Sequence, residues 1–162
     1  MKNMSIAVVD YDCGNIHSAT KALELAMSNS VINGSVSLTK DPEKILNSDK
    51  LVLPGVGAFG SCIQKLKSID GLKEALDEAV LKKAKPILGI CIGFQMLFDS
   101  SEESPGSEGL GIIPGKVIKF SEQKNLKVPH MGWNEVQIKN LIDPVWKNIN
   151  NLSHFYFVHS YF

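Results

Sequence analysis

Residues 86–95 read Pro86-Ile87-Leu88-Gly89-Ile90-Cys91-Ile92-Gly93-Phe94-Gln95. The apolar run at 86–90 has the length and composition of a buried strand, and helical character is expected over 93–98. Between them stands Gly-x-Cys-x-Gly, the form of a nucleophile elbow with sulfur in place of oxygen. A nucleophile in a strained turn needs neighbours almost free of side chain. A helix start behind it favours thiolate, and the Ile92 N–H can face a developing oxyanion. The competing reading is a packed structural thiol, because free cysteine is among the most buried residue types. Glycine at both offsets favours the reactive reading, with Cys91 attacking an amide carbonyl.

Working outward, the chain alternates short apolar runs with helical spacing. Residues 5–9 form a strand, 10–14 a turn, and Asn15 caps a helix carrying Ile16, Ala19, Leu23 and Met27 on one face. Strands follow at 36–39 and 50–53, and helices at 59–66 and 71–83. This order predicts an α/β fold, a doubly wound, mostly parallel sheet flanked by helices. Residues 100–111 read as a polar loop. Short added strands are expected at 116–120, 135–138 and 155–158.

The chain has 162 residues, 44% hydrophobic and 21% charged, which suits one domain over residues 1–162. Lysine plus arginine and aspartate plus glutamate number 17 each, giving no global attraction to nucleic acid or to a membrane surface. No apolar stretch is long enough to span a bilayer, and the N-terminal run is too short for a secretory signal; a cytoplasmic protein is expected. Cys13, Cys62 and Cys91 are widely spaced and odd in number, against a disulfide framework or a zinc site. His17, His130, His154 and His159 show no metal-ligand spacing. No metal and no organic cofactor is expected.

Residues 54–60, Pro-Gly-Val-Gly-Ala-Phe-Gly, contain a formal G-x-G-x-x-G. The motif follows the third strand rather than the first, and no strand-end acid stands at the right distance, so a dinucleotide site is rejected. A glycine loop at a strand end can instead donate N–H groups to an oxyanion, or be a plain tight turn. Residues 111–116 fall one short of a phosphate loop, and Val117 stands where Ser or Thr is required. Cysteine nucleophiles need a base. Spacing puts His154 and His159 on opposite strand faces and nominates His159, at the strand's C-terminal end, against an equally weighted reading as a strand-end histidine with a satisfied ring. Glu102 and Glu103 are either contacts for a substrate amine or a solvated acidic loop.

Together these segments resemble the class I (triad) glutamine amidotransferases over essentially the whole chain. The broad likeness rests on residues 89–95. A narrower likeness, to glutaminase subunits serving histidine biosynthesis, rests on Gly14-Asn15-Ile16, residues 54–57, Ser101-Glu102-Glu103, Pro129-His130-Met131-Gly132-Trp133-Asn134 and residues 156–161. The resemblance implies Cys91 as the nucleophile on glutamine, with Val56, Gly57 and Ile92 at the oxyanion. It implies Gly57, Gln95, Glu103, His159, Ser160 and Tyr161 as glutamine contacts. Asn15, His130 and Trp133 would share the face docked on a (β/α)₈ cyclase subunit, forming a heterodimer that receives the ammonia.

The resemblance also withdraws the nomination of His159. In the family the base and its orienting glutamate belong to a later F-H-P-E-like segment, absent from these 162 residues. The aromatic strand at 155–158 stands almost at the end of the chain, where polar residues are usual. The expectation is a chain cut short at its C-terminal side and nearly inactive as written. Two alternatives stand beside it: a paralogous glutaminase serving another synthase, such as one making a surface sugar, and a non-catalytic docking module.

Overall fold

The computed structural model describes residues 3–121 and 127–162, which form two compact units, Met1–Ile118 and Lys119–Phe162. The first unit is built on a parallel four-stranded sheet. Its strands are β1 (Met4–Val9), β2 (Gly34–Thr39), β3 (Lys50–Gly55) and β4 (Ile87–Cys91), in the order β2-β1-β3-β4. Leu51, Val52 and Leu53 are consecutive and all buried, the signature of a strand covered on both faces.

Alternation along the strands divides the core in two. Ala7, Val9, Leu51 and Leu53 pack with Phe59, Ile63 and Leu66 of α3 (Phe59–Lys67) and with Leu72 and Leu76 of α4 (Leu72–Asp77). Ile6, Val8 and Val52 face the other way, against Leu23 and Met27 of α1 (Ile16–Ser28). Helices therefore cover both faces of the sheet, as the alternating sequence requires. Asn15 caps α1, its side chain accepting from the Ser18 N–H (3.3 Å). Asp41 caps α2 (Pro42–Asn47) in the same way, through the Glu43 N–H (2.9 Å).

Two local expectations are corrected. The helix after Cys91 is one turn, α5 (Ile92–Gln95), rather than a helix to residue 98. The backbone is then taken by other partners: the Leu110 N–H donates to the Met96 carbonyl, and Ile112 and Ile113 donate to that of Leu97. These bonds lead into β5 (Phe98–Ser101), which runs parallel to β6 (Ile113–Val117). The expected loop at 100–111 thus begins with strand residues, and the expected strand at 116–120 begins earlier, at Ile113.

The second unit is a two-stranded antiparallel ribbon of β7 (His130–Val136) and β8 (Ser153–His159). β7 starts five residues before the expected 135 and takes in most of the Pro-His-Met-Gly-Trp-Asn string. An unbroken register from His130↔His159 to Val136↔Ser153 sorts the side chains by face. His154 lies opposite Glu135 and His159 opposite His130, so the two histidines do occupy opposite faces.

Candidate active site

Cys91 ends β4 and adopts φ 55° and ψ −120°, a backbone conformation that an L-residue enters only under constraint. The constraint comes from its neighbours. A Cβ on Gly89 would lie 2.4 Å from the Phe94 Cα, so α5 turns back directly over the strand. A Cβ on Gly93 would lie 1.9 Å from the Leu53 carbonyl oxygen, so the same turn presses against the end of β3. Gly-x-Cys-x-Gly is therefore a packing requirement of this strand–turn–helix unit. The Cys91 side chain is exposed.

β3 delivers the second half of the site. In the sheet register Gly55 stands beside Cys91. Val56 follows, 61% exposed, and Gly57 turns the chain with φ 122° into α3. The Cys62 thiol donates to the Val56 carbonyl (3.5 Å). Cys62 is pushed up to about 12, first by burial and then by its hydrogen bond with Cys13, so it remains a neutral donor at physiological pH. A cleft of about 310 Å³ opens at this point, its walls including Asn15, Pro54, Gly55, Val56, Ile90 and Cys91. Asn15 and Cys91 thus line the same cleft.

Gln95 is buried at the end of α5. Glu103 accepts from the Phe59 N–H at 2.8 Å, and the Ser104 hydroxyl accepts from Gly60 N–H at 3.0 Å. Ala58, the N-cap of α3, has no side chain able to do this, so the loop after β5 caps α3 from outside. Glu102 instead pairs with Lys116 at the surface (3.4 Å). The cleft therefore joins Cys91 to Val56 and Asn15, with Ile92 and Gly57 next to them in the chain, while Glu103 meets the start of α3.

His130, Trp133, His159, Ser160 and Tyr161 lie in the second unit. His159 Nδ1 is 2.9 Å from the Tyr161 carbonyl, which as an acceptor makes that nitrogen the protonated one. His130 stacks on Phe157 (5.1 Å), whereas Trp133, 70% exposed, meets Tyr156 edge to face across the ribbon (5.6 Å). Three residues apart on a strand, His130 and Trp133 point to opposite faces. The register therefore gives His130 and Trp133 different faces of the ribbon.

One residue of the site is silent in the sequence. Tyr11, in the turn after β1, is fully buried, and its hydroxyl donates to the Pro54 carbonyl (2.6 Å). A tyrosine beside aspartates in a turn gives no sign of burial; only the convergence of β1, β3 and α5 reveals it. Among the described residues no group of His, Cys, Asp and Glu is arranged to hold a metal, and no helix is long and apolar enough to cross a membrane.

Cys91, at a strained strand-to-helix turn, thus stands beside a glycine turn on the adjacent parallel strand. The profile of the family "Glutamine amidotransferase class-I" matches residues 7–162, and the chain belongs to that family. Within it the chain is similar to "Imidazole glycerol phosphate synthase subunit HisH 1" of Campylobacter jejuni, 47% identical over 97% of this chain and 74% of the relative. The HisH subunits of Acinetobacter baylyi (46%, 97% and 72%) and Synechococcus elongatus (47%, 97% and 68%) show the same likeness. A crystal structure of a glutamine amidotransferase superposes with a TM-score of 0.67 at 13% identity, covering 96% of this chain and 71% of that one, which bears on the fold alone.

Proposed function

We propose that this chain is the glutaminase subunit of an imidazole glycerol phosphate synthase, a cytoplasmic enzyme of histidine biosynthesis. The observation that carries the reading is the Cys91 elbow facing the 54–57 turn, in a chain 46–47% identical to HisH subunits. Residues 1–162 are taken as one amidotransferase domain, which the extent of the family match supports.

Cys91 sulfur attacks the carboxamide carbon of glutamine, forming a C–S bond and a tetrahedral oxyanion. The N–H groups of Ile92 and of the Val56-Gly57 turn stabilise that oxygen. The C–N bond breaks, and the nitrogen takes up a proton and leaves as ammonia. Water then attacks the thioester, giving glutamate and restoring the thiol. Gln95 and Glu103 hold the amino-acid end of the substrate, with His159, Ser160 and Tyr161 contributing along their strand. The proton-transfer base is assigned to none of His17, His130, His154 or His159. Ammonia passes to a (β/α)₈ cyclase docked in a heterodimer through Asn15, His130 and Trp133, and the joint reaction gives the complex its lyase character. No cofactor is invoked.

Glutamine-dependent ammonia release, measured for the full-length protein with the cyclase partner, tests the reading. Cys91→Ala should abolish release while leaving partner affinity intact. Unchanged release would remove Cys91 from the mechanism. Trp133→Ala should weaken the complex at least tenfold, as buried aromatics commonly do at interfaces; unaltered affinity would exclude that docking surface.

A further inference from the structure

We infer that Tyr11 is a positioning residue: its hydroxyl pins the Pro54 carbonyl and so fixes the spacing between the oxyanion donors at Val56 and Ile92. This rests on the amidotransferase reading of the site. The tyrosine is fully buried, and its hydroxyl meets the Pro54 carbonyl at 2.6 Å. Met96 Sδ, directly after α5, is 3.6 Å away from the same hydroxyl. A Cβ on Gly55 would lie 2.7 Å from Tyr11 Oη and 2.6 Å from the Gly93 nitrogen. The phenol therefore sits where the end of β3 and the start of α5 come into contact.

These contacts determine what the hydroxyl does. The Pro54 carbonyl and the Gly55 nitrogen share one rigid peptide plane, and the next plane carries the Val56 N–H. Holding the carbonyl orients the first plane and limits the second. On the other side α5 is a single turn, closed by the Met96 N–H donating to the Ile92 carbonyl (2.8 Å). A group touching Pro54 and Met96 thus spans both halves of the oxyanion site without touching substrate. Burial raises the phenol far above its ordinary range, so the hydroxyl keeps its proton at every working pH. Phenylalanine would fill the same space and leave the Pro54 carbonyl without this donor.

The test compares two reactions of Cys91 in the full chain, followed by mass spectrometry of the Cys91 peptide. Acylation by p-nitrophenyl acetate passes through an oxyanion; alkylation by iodoacetamide does not. Tyr11→Phe should slow acylation about ten- to hundredfold, the scale of a misplaced or lost oxyanion donor. Alkylation should stay within about twofold, because thiol access is unaltered. 3-Fluorotyrosine at position 11, which retains the O–H, should restore acylation. With the cyclase partner and glutamine, Tyr11→Phe should lower kcat by a similar factor with KM within about twofold. Equal changes in both Cys91 reactions, or none, would overturn the inference and leave Tyr11 a purely structural residue. This comparison needs no glutamine turnover, so it fails independently of the Cys91→Ala test of the glutaminase reading.

Discussion

Replacing Cys91 by alanine and by glycine removes the proposed nucleophile in both cases but should separate the two proteins in stability. At an ordinary strand end, glycine is the weaker choice, by about 0.4–1 kcal/mol, because its unfolded chain has more freedom to lose. At φ 55° and ψ −120° the order should invert. A residue with a Cβ held in such a region carries about 1–3 kcal/mol of strain, which glycine does not feel. Subtracting the entropy term leaves glycine ahead by about 0–2.6 kcal/mol, roughly 1.3 at the middle of both ranges. The lost sulfur matters little, since the side chain is exposed. Urea unfolding of both variants under identical conditions reads the difference as a shift in midpoint at constant slope. If alanine proved the more stable, by about the 0.4–1 kcal/mol of an ordinary strand end, the elbow would be unstrained, and the packing account of Gly89 and Gly93 would fail with it.

Gly93→Ala places a Cβ 1.9 Å from a backbone oxygen that no rotamer change can move. The turn must lift by on the order of 1 Å, costing about 1–3 kcal/mol of stability and roughly 10²-fold in kcat. Thermal unfolding and steady-state kinetics should register both losses. Glu103→Gln keeps an acceptor for the Phe59 N–H, so stability should hold while KM for glutamine rises. Glu103→Ala should in addition cost about 1 kcal/mol as α3 loses its cap, seen in the same unfolding curves. Cys62 titrates near 9 in the unfolded chain and about 12 in the folded one. The folded state retains the proton longer, so stability should fall with rising pH between those values, at up to about 1.4 kcal/mol per pH unit. Cys62→Ala should flatten that alkaline decline in urea titrations at pH 8–11; an unchanged slope would refute the assignment.

The parts of this molecule legible in the sequence are those where sterics dictate residue type. Gly89 and Gly93 are written into the chain because a Cβ at either would collide with backbone, and that makes the elbow visible. The run Leu51-Val52-Leu53 is visible because both sheet faces demand apolar side chains. What escaped was decided by distant partners. The apolar spacing of Phe94, Leu97 and Phe98 suits a longer helix, yet carbonyls at 96 and 97 are claimed by Leu110, Ile112 and Ile113. β7 contains His130, Gly132 and Asn134, residues of modest strand preference, and its register comes from β8. Glu103 reads as a loop acid, but its bond to Phe59 spans 44 positions. Tyr11 lies in a polar turn whose spacing says nothing of the strand end it holds.

The alternation that puts His130 and Trp133 on opposite sides of the ribbon sets a rule for length variation. Inserting or deleting a single residue between them would rotate everything beyond by one face, bringing Trp133 to the side where His130 stacks on Phe157. A change of two residues would keep each side chain on its side and only shift the pairing along the strand. The Gly132 backbone, at φ 148°, takes part in the same unbroken register. Related chains can therefore vary in residue identity along this ribbon with little disturbance, whereas an odd change in length would turn the whole tryptophan edge inside out.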